Sequence, residues 1–225
     1  PYTSSAASDV YKRQNLALEG DIVTLTFTAD EELHGTPGTV VFKVGTDGAE
    51  KAAVNLTSTA TTNGYQASMA AVVAGENGVV EYKIVMTDLA GNVKTLDFVQ
   101  STCRVDTTAP NLKNGTSVEV VSNNASDTSL AKFQHEDDAK EDTVTLTFTA
   151  DEELHGTPGI VVFKVGGGAE KAAADLSPTD NTNEYKASFN VVNGDSGIVK
   201  YKIIMTDLAG NVTTLDFADS NVRVD

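Results

Sequence analysis

The sequence predicts an all-β protein that consists of two successive β-sandwich domains. The strongest observation is a duplication, since VTLTFTADEELHGTPG occurs at Val23–Gly38 and again, letter for letter, at Val144–Gly159. MTDLAGNV also occurs twice, at Met86–Val93 and Met205–Val212. The repeat distance of about 120 residues is that of a small domain rather than of a solenoid unit. Short alternating segments separated by Gly, Asn and Asp indicate strands, and no segment has the pattern of an amphipathic helix.

The strand prediction rests on alternation with a period of two. Val23, Leu25 and Phe27 alternate with threonines, which places apolar side chains on one face of a strand. In the second copy this pattern predicts seven strands, A to G, at about 117–122, 143–150, 160–165, about 171–176, 185–191, 198–206 and 212–217. Seven short strands are typical of an immunoglobulin-like sandwich. Tyr82 and Tyr201, early in predicted strand F, are expected to form the tyrosine corner of that fold.

The repeat predicts the domain organisation. Residues 1–14 have no apolar core of a signal peptide and are interpreted as a non-native leader. Residues 15–105 form the first domain, which has only Asn15–Gly20 before its strand B and therefore lacks most of strand A. Residues 106–225 form the second domain, which has a complete strand A. Because the first domain lacks most of this strand, we expect it to have an open strand edge.

Composition limits the partners. The chain has 16 Lys and Arg against 32 Asp and Glu, a net charge of −16. Such a charge disfavours nucleic acid and anionic membrane surfaces and favours cations. The apolar stretches are too short to predict membrane insertion. The single cysteine, Cys103, excludes an internal disulfide.

Two motifs give a family resemblance. VDTTAP at Val105–Pro110 precedes a strand, and TDLAGN at Thr87–Asn92 and Thr206–Asn211 lies between predicted strands F and G. Together with the TADE turn after strand B, they resemble the tandem bacterial Ig-like domains of large repetitive surface adhesins. The resemblance covers nearly all of Asn15–Asp225. It implies Ig-like modules joined into a stalk, often made rigid by Ca²⁺ at the junctions between domains.

The topology predicts where acidic side chains converge. If the seven strands alternate in direction, the B–C and F–G loops of the second domain share the end at which the linker enters. Ca²⁺ prefers carboxylate, amide and carbonyl oxygens, so we expect a calcium site at this junction. The predicted ligands are Asp106, Asp151, Glu152, Asp207 and Asn211, with weaker equivalents Asp30, Glu31, Asp88 and Asn92 in the first domain. The alternative is that Asp207 and Asn211 only cap a tight turn and that the glutamates lie in a solvated loop.

The functional prediction is a structural spacer of a secreted or cell-surface bacterial adhesin, with neighbouring Ig-like repeats as partners and an unknown ligand. The alternative is an accessory binding module of an extracellular polysaccharide-degrading enzyme. Sugars stack on exposed aromatic rings, and the absence of Trp favours the spacer. No catalytic constellation is recognised, and His34 and His155 are expected to be turn residues, so we predict no enzymatic activity.

Overall fold

The computed structural model describes residues 15–53, 55–133, 142–171 and 174–225. The chain divides into two compact units, residues 1–108 and 109–225. The predicted leader, residues 1–14, lies outside the described residues. The described part of the chain contains no helix that is long and apolar enough to cross a membrane.

The second unit contains two packed sheets. Its strands are β9 (Glu119–Ser122), β10 (Leu130–Ala131), β11 (Thr143–Thr149), β12 (Leu154–Val165), β13 (Ala174–Asp175), β14 (Ser177–Pro178), β15 (Glu184–Asn190), β16 (Gly197–Asp207) and β17 (Val212–Val224). One sheet has the order β10-β17-β16-β12-β13 and the other the order β14-β15-β11-β9. In the first sheet β10 runs parallel to β17, and in both sheets the other pairs are antiparallel.

The first unit repeats this plan with one strand fewer among its described residues. Its strands are β1 (Leu16–Ala17), β2 (Thr24–Thr28), β3 (Leu33–Val44), β4 (Lys51–Ala52), β5 (Asn55–Ser58), β6 (Gly64–Ser68), β7 (Gly78–Asp88) and β8 (Val93–Val105). The sheets have the orders β1-β8-β7-β3-β4 and β2-β6-β5. The position beside β2 that corresponds to β9 is not filled by any described residue.

This strand order is that of an immunoglobulin-like sandwich and confirms the predicted fold class. In the second unit β9, β11, β15 and β14 correspond to strands A, B, E and D, and β12, β16 and β17 to strands C, F and G. Two short strands were not predicted: β10, which continues strand A on the opposite sheet, and β13, which extends the sheet beyond strand C. The segment predicted for strand D contains β13, and the strand in position D, β14, follows it.

The core of each unit follows from the alternation in the sequence. Along β11, Val144, Leu146 and Phe148 are almost fully buried, while the threonines between them are partly exposed. They pack against Phe163 and Ile203 of the opposite sheet in a single cluster. Burying apolar surface between two sheets is the main source of stability in such a fold.

Strand C begins earlier than predicted and contains a large bulge. Leu154 pairs with Asp207, and the next pair joins Gly159 to Met205, so four residues of β12 lie opposite Thr206 of β16. The sequence HGTP therefore belongs to the strand, although it was predicted as a loop. At Gly159, φ is 131° and a Cβ atom would lie 1.9 Å from the carbonyl oxygen of Ile204. Only glycine can close the bulge against the neighbouring strand.

Candidate functional site

The F–G turn of the second unit is organised by one carboxylate. Oδ1 of Asp207 accepts hydrogen bonds from the backbone nitrogens of Gly210, at 2.6 Å, and Asn211, at 2.8 Å. Oδ2 accepts a bond from the side-chain amide of Asn211 at 2.8 Å, and the Asp207 nitrogen donates to the Asn211 carbonyl. Since a carboxylate offers about four acceptor positions, these bonds leave one for a further donor or a cation. The structure therefore shows that Asp207 and Asn211 cap the F–G turn.

The first unit repeats the turn. The Asn92 backbone nitrogen donates to Oδ1 of Asp88 and the Asn92 side chain donates to Oδ2, both at 2.7 Å. The side-chain amide of Asn92, followed by its backbone N–H, holds the pKa of the Asp88 carboxyl below its usual value, because hydrogen bonds stabilise the charged form. The turn thus favours a carboxylate that stays ionised in mildly acid solution.

In the first unit the predicted residues of the B–C and F–G turns share one pocket. The pocket has a volume of about 210 Å³, and its lining includes all four predicted residues, namely Asp30, Glu31, Asp88 and Asn92. They meet there because Leu33, which starts β3 just after the B–C turn, pairs with Asp88 at the end of β7. Lys94 also lines the pocket and supplies a positive charge.

In the second unit the B–C turn is joined to the start of the domain. The backbone nitrogen of Asn111 donates to Oδ1 of Asp151 at 2.8 Å, and the nitrogen of Asp151 donates to the carbonyl of Asn111 at 2.9 Å. A bridge between Leu112 and Ala150 continues this pairing. Asp151 therefore holds the incoming chain against strand B.

Asp106 directly follows β8, the last strand of the first unit. Its nitrogen donates to the carbonyl of Ala17, and its Oδ1 accepts from the nitrogen of Thr108 at 3.1 Å. Thr107 is bound to the E–F loop of the same unit, because its nitrogen donates to Oδ1 of Asn77 at 2.8 Å and its hydroxyl donates to the carbonyl of Glu76 at 3.1 Å. The VDTT segment is thus fastened to the domain that precedes it.

Neither unit alone provides a complete cation site among its described residues. No three His, Cys, Asp or Glu side chains within one unit offer ligand atoms within 4.8 Å of one another. The turns bring together Asp207 with Asn211, and Asp88 with Asn92 and the B–C acids. A calcium site at the junction stays a prediction.

The sequence did not predict the tyrosines that support this end of each unit. The hydroxyl of Tyr65 on β6 accepts a hydrogen bond from the nitrogen of Leu33, and the hydroxyl of Tyr185 on β15 accepts one from Leu154. The predicted tyrosine corner at Tyr82 and Tyr201 was wrong, because no hydrogen bond of either hydroxyl is found among the described residues. The signal was available in the sequence, since EYKAS and GYQAS place a tyrosine at the same position of each repeat.

No protein-family model matches the chain, and no curated protein matches it. Among solved structures, a chimeric titin Z1Z2 carrying a KLER exogenous peptide from decorin is 15% identical, with a TM-score of 0.35, and the match covers 93% of this chain and 91% of that one. A marsupial T cell receptor is 12% identical with a TM-score of 0.43, over 93% of this chain and 70% of that one. With TM-scores this low, the immunoglobulin-like assignment rests on the strand order described above.

Proposed function

We propose that the two units are spacer modules of a repetitive secreted or cell-surface bacterial protein of the adhesin type. The observation that carries the proposal is the duplicated sandwich with a short linker fastened at both ends. Thr107 is bound to the first unit and Asn111 to the second, which leaves only residues 108–110 between these anchors. A short linker limits the bending freedom of consecutive domains, as a load-bearing stalk requires.

The second part of the proposal is that Ca²⁺ stiffens the junction. Its ligands would be Asp106, Glu152 and Asp207, with Asp151 and Asn211 holding the turns in position. Support comes from the remaining acceptor position on Asp207 and from the short chain that separates Asp106 from Asn111. Three carboxylates and added backbone or water oxygens suit a hard cation, and the net charge of −16 would draw cations to the protein.

The binding-module alternative needs exposed aromatic rings. The two phenylalanines on the outer faces of the G strands, Phe98 and Phe217, have lysine ammonium groups over their rings. Lys43 lies 4.7 Å from the Phe98 centroid and Lys202 lies 5.3 Å from that of Phe217. Rings covered in this way are poor platforms for sugars, which favours the spacer.

Calorimetric titration with Ca²⁺ tests the junction. We expect one ion per chain with a Kd on the order of 10⁻⁴ M, as in extracellular modules. At a hundredfold excess over Kd, the bound ion would stabilise the folded state by about 2.7 kcal/mol, seen as a rise in Tm. Asp106→Asn should abolish the heat of calcium binding, because it removes the charge of a ligand. The variant keeps a side-chain oxygen that can still accept the hydrogen bond from the Thr108 nitrogen.

The matched control is Asp225→Asn, because Asp225 occupies the position of Asp106 in the second RVD triplet. It should leave the titration unchanged. Absence of calcium-dependent heat and of a Tm shift in the wild type would contradict the calcium proposal. Small-angle scattering with and without Ca²⁺ tests the stiffening itself, because a stiffened pair of domains has a narrower distribution of interatomic distances.

A further inference from the structure

Two strands with nearly the same sequence have different neighbours in the two units. β2 lies within a VTLTFTA segment, and a second copy of this segment contains all of β11 except its first residue, Thr143. In the second unit β11 lies between β15 and β9, with Leu146 opposite Val120 and Val144 opposite Ser122. In the first unit, β2 pairs with β6, and no described residue occupies its other edge.

The edge of β2 that faces away from β6 presents backbone groups that no described residue pairs. The nitrogen of Met69 donates to the carbonyl of Val23, and the nitrogen of Ala29 donates to the carbonyl of Asn63. Since bonding groups alternate along an antiparallel strand, the N–H and C=O groups of Thr24, Thr26 and Thr28 point away from β6. In the second unit the carbonyl of Thr149, the equivalent of Thr28, accepts a bond from the nitrogen of Lys113, and the carbonyl of Thr143, which corresponds to Ile22, accepts one from the nitrogen of Asn123.

Along this edge the apolar core of the first unit is less deeply buried than that of the second. Val23, Leu25 and Phe27 are half-buried, whereas Val144 and Leu146 are 0% exposed and Phe148 is 2% exposed. Cys103 on β8 is half-buried, and its counterpart in the second unit is Val222, which is 0% exposed. The equivalence follows from the matching bonds of Ser101 to the Cys103 nitrogen and of Ser220 to the Val222 nitrogen.

A groove of about 440 Å³ runs along the uncovered edge. It is lined by residues of β1, β2 and β8, including Ala17, Leu25 and Cys103, and the core residues Phe42, Val80 and Tyr82 also line it. In the second unit, Val120 of β9 is 3% exposed and belongs to the core cluster. The groove therefore combines apolar side chains with polar ones such as Asp21 and Ser101, and it lies beside a row of backbone groups that no described residue pairs.

We propose that this groove and the edge of β2 bind an extended strand that has the pattern of the first strand of a repeat of this kind, Val118–Ser122. The incoming strand adds antiparallel to β2, with its Val120 opposite Leu25 and its Ser122 opposite Val23, the register that β9 has on β11. Val118 and Val120 fill the groove. Because the neighbouring edge residues Thr24, Thr26 and Thr28 carry neither charge nor proline, nothing on the edge opposes pairing.

A synthetic peptide of residues 111–123 with a fluorescent label is the probe, titrated into the full chain and followed by anisotropy. Saturable binding is expected. Cys103 is the single cysteine and gives a second readout, the rate of its reaction with a thiol reagent. When the free peptide is at ten times its Kd, about one groove in eleven is vacant, so this rate should fall about tenfold.

Hydrogen exchange locates the peptide. The amides of Thr24 and Thr26 should exchange about tenfold more slowly at the same peptide concentration. The equivalent amides of Thr145 and Thr147 are already paired in the second unit and should not change. The peptide with Val120→Asp is the matched control, because a buried carboxylate opposite Leu25 should abolish binding.

A variant of the chain tests the edge itself. Thr26→Pro removes an N–H that points away from β6 and leaves the bonds between β2 and β6 intact. The first unit should therefore still fold but should no longer bind the peptide. The proposal is overturned if no saturable binding occurs, or if the Val120→Asp peptide binds equally well. It is also overturned if Thr24 and Thr26 exchange as slowly as Thr145 and Thr147 without peptide, because the chain itself would then occupy the edge.

Discussion

The hydroxyl oxygen of Tyr185 lies 2.9 Å from the backbone nitrogen of Leu154 and accepts its hydrogen bond. Tyr185 belongs to β15 in one sheet, and Leu154 starts β12 in the other. The bond therefore connects the two sheets at the end of the domain that carries the acidic turns. The first unit has the same bond between Tyr65 and Leu33 at 3.0 Å.

Tyr185→Phe should lower the free energy of unfolding of the second unit by about 1–3 kcal/mol, because the buried N–H of Leu154 loses this acceptor. Chemical denaturation followed by NMR signals of the second unit measures the effect. Tyr201→Phe is the control, since no hydrogen bond of its hydroxyl is found among the described residues, and it should change stability by less than about 0.5 kcal/mol. Equal losses in the two variants would contradict this role for Tyr185.

Gly159→Ala should destabilise the second unit by about 3 kcal/mol or more. The backbone at φ 131° is unfavourable for any residue with a Cβ atom, and that atom would meet the carbonyl oxygen of Ile204. Thermal or denaturant unfolding measures the loss. Gly167→Ala is the matched control because a Cβ atom there meets nothing within 4 Å. If both alanine variants unfolded alike, the bulge would not require glycine.

The Asp88 turn should contribute a stability that depends on pH. Hydrogen bonds from Asn92 lower the pKa of the Asp88 carboxyl in the folded state, so the contribution is present above the pKa of the unfolded chain. It is lost as the pH falls through the folded pKa, below about pH 4. Asp88→Asn should therefore lower the Tm of the first unit at pH 7, and the difference from wild type should shrink in acid. If the difference in Tm between wild type and Asp88→Asn stayed constant down to pH 3, the ionised Asp88 carboxylate could not be its origin.

Strands with strict alternation could be predicted from the sequence. The threonine-separated series Val144, Leu146 and Phe148 indicates both the strand and its buried face, because a period of two has one structural solution. The two-residue strands β10 and β13 carry no periodicity that a sequence can reveal. The end of β17 was also missed, because its pairing with β16 contains register shifts that the sequence of β17 does not reveal.

The candidate site was predictable only in part. Strand parity correctly places the B–C and F–G turns of the first unit around one pocket, because loops at the same end of a sandwich must approach each other. The bulge in strand C was not predictable, since a register shift depends on how two strands pair rather than on either sequence alone. For the same reason the partner of Tyr185, some thirty residues earlier in the chain, could not be read from local pattern.

The identity of β2 and β11 also matters while the protein is being made. Domains fold in order during synthesis, at about 5–20 residues per second, and some twenty residues separate the end of β9 from the start of β11. For about one to four seconds β9 therefore exists before its own partner β11, while β2, which has the same TLTFT sequence and an edge that no described residue covers, has already been made. The repeated strand sequence thus offers β9 a competing place to bind, and its correct pairing depends on how fast β11 arrives.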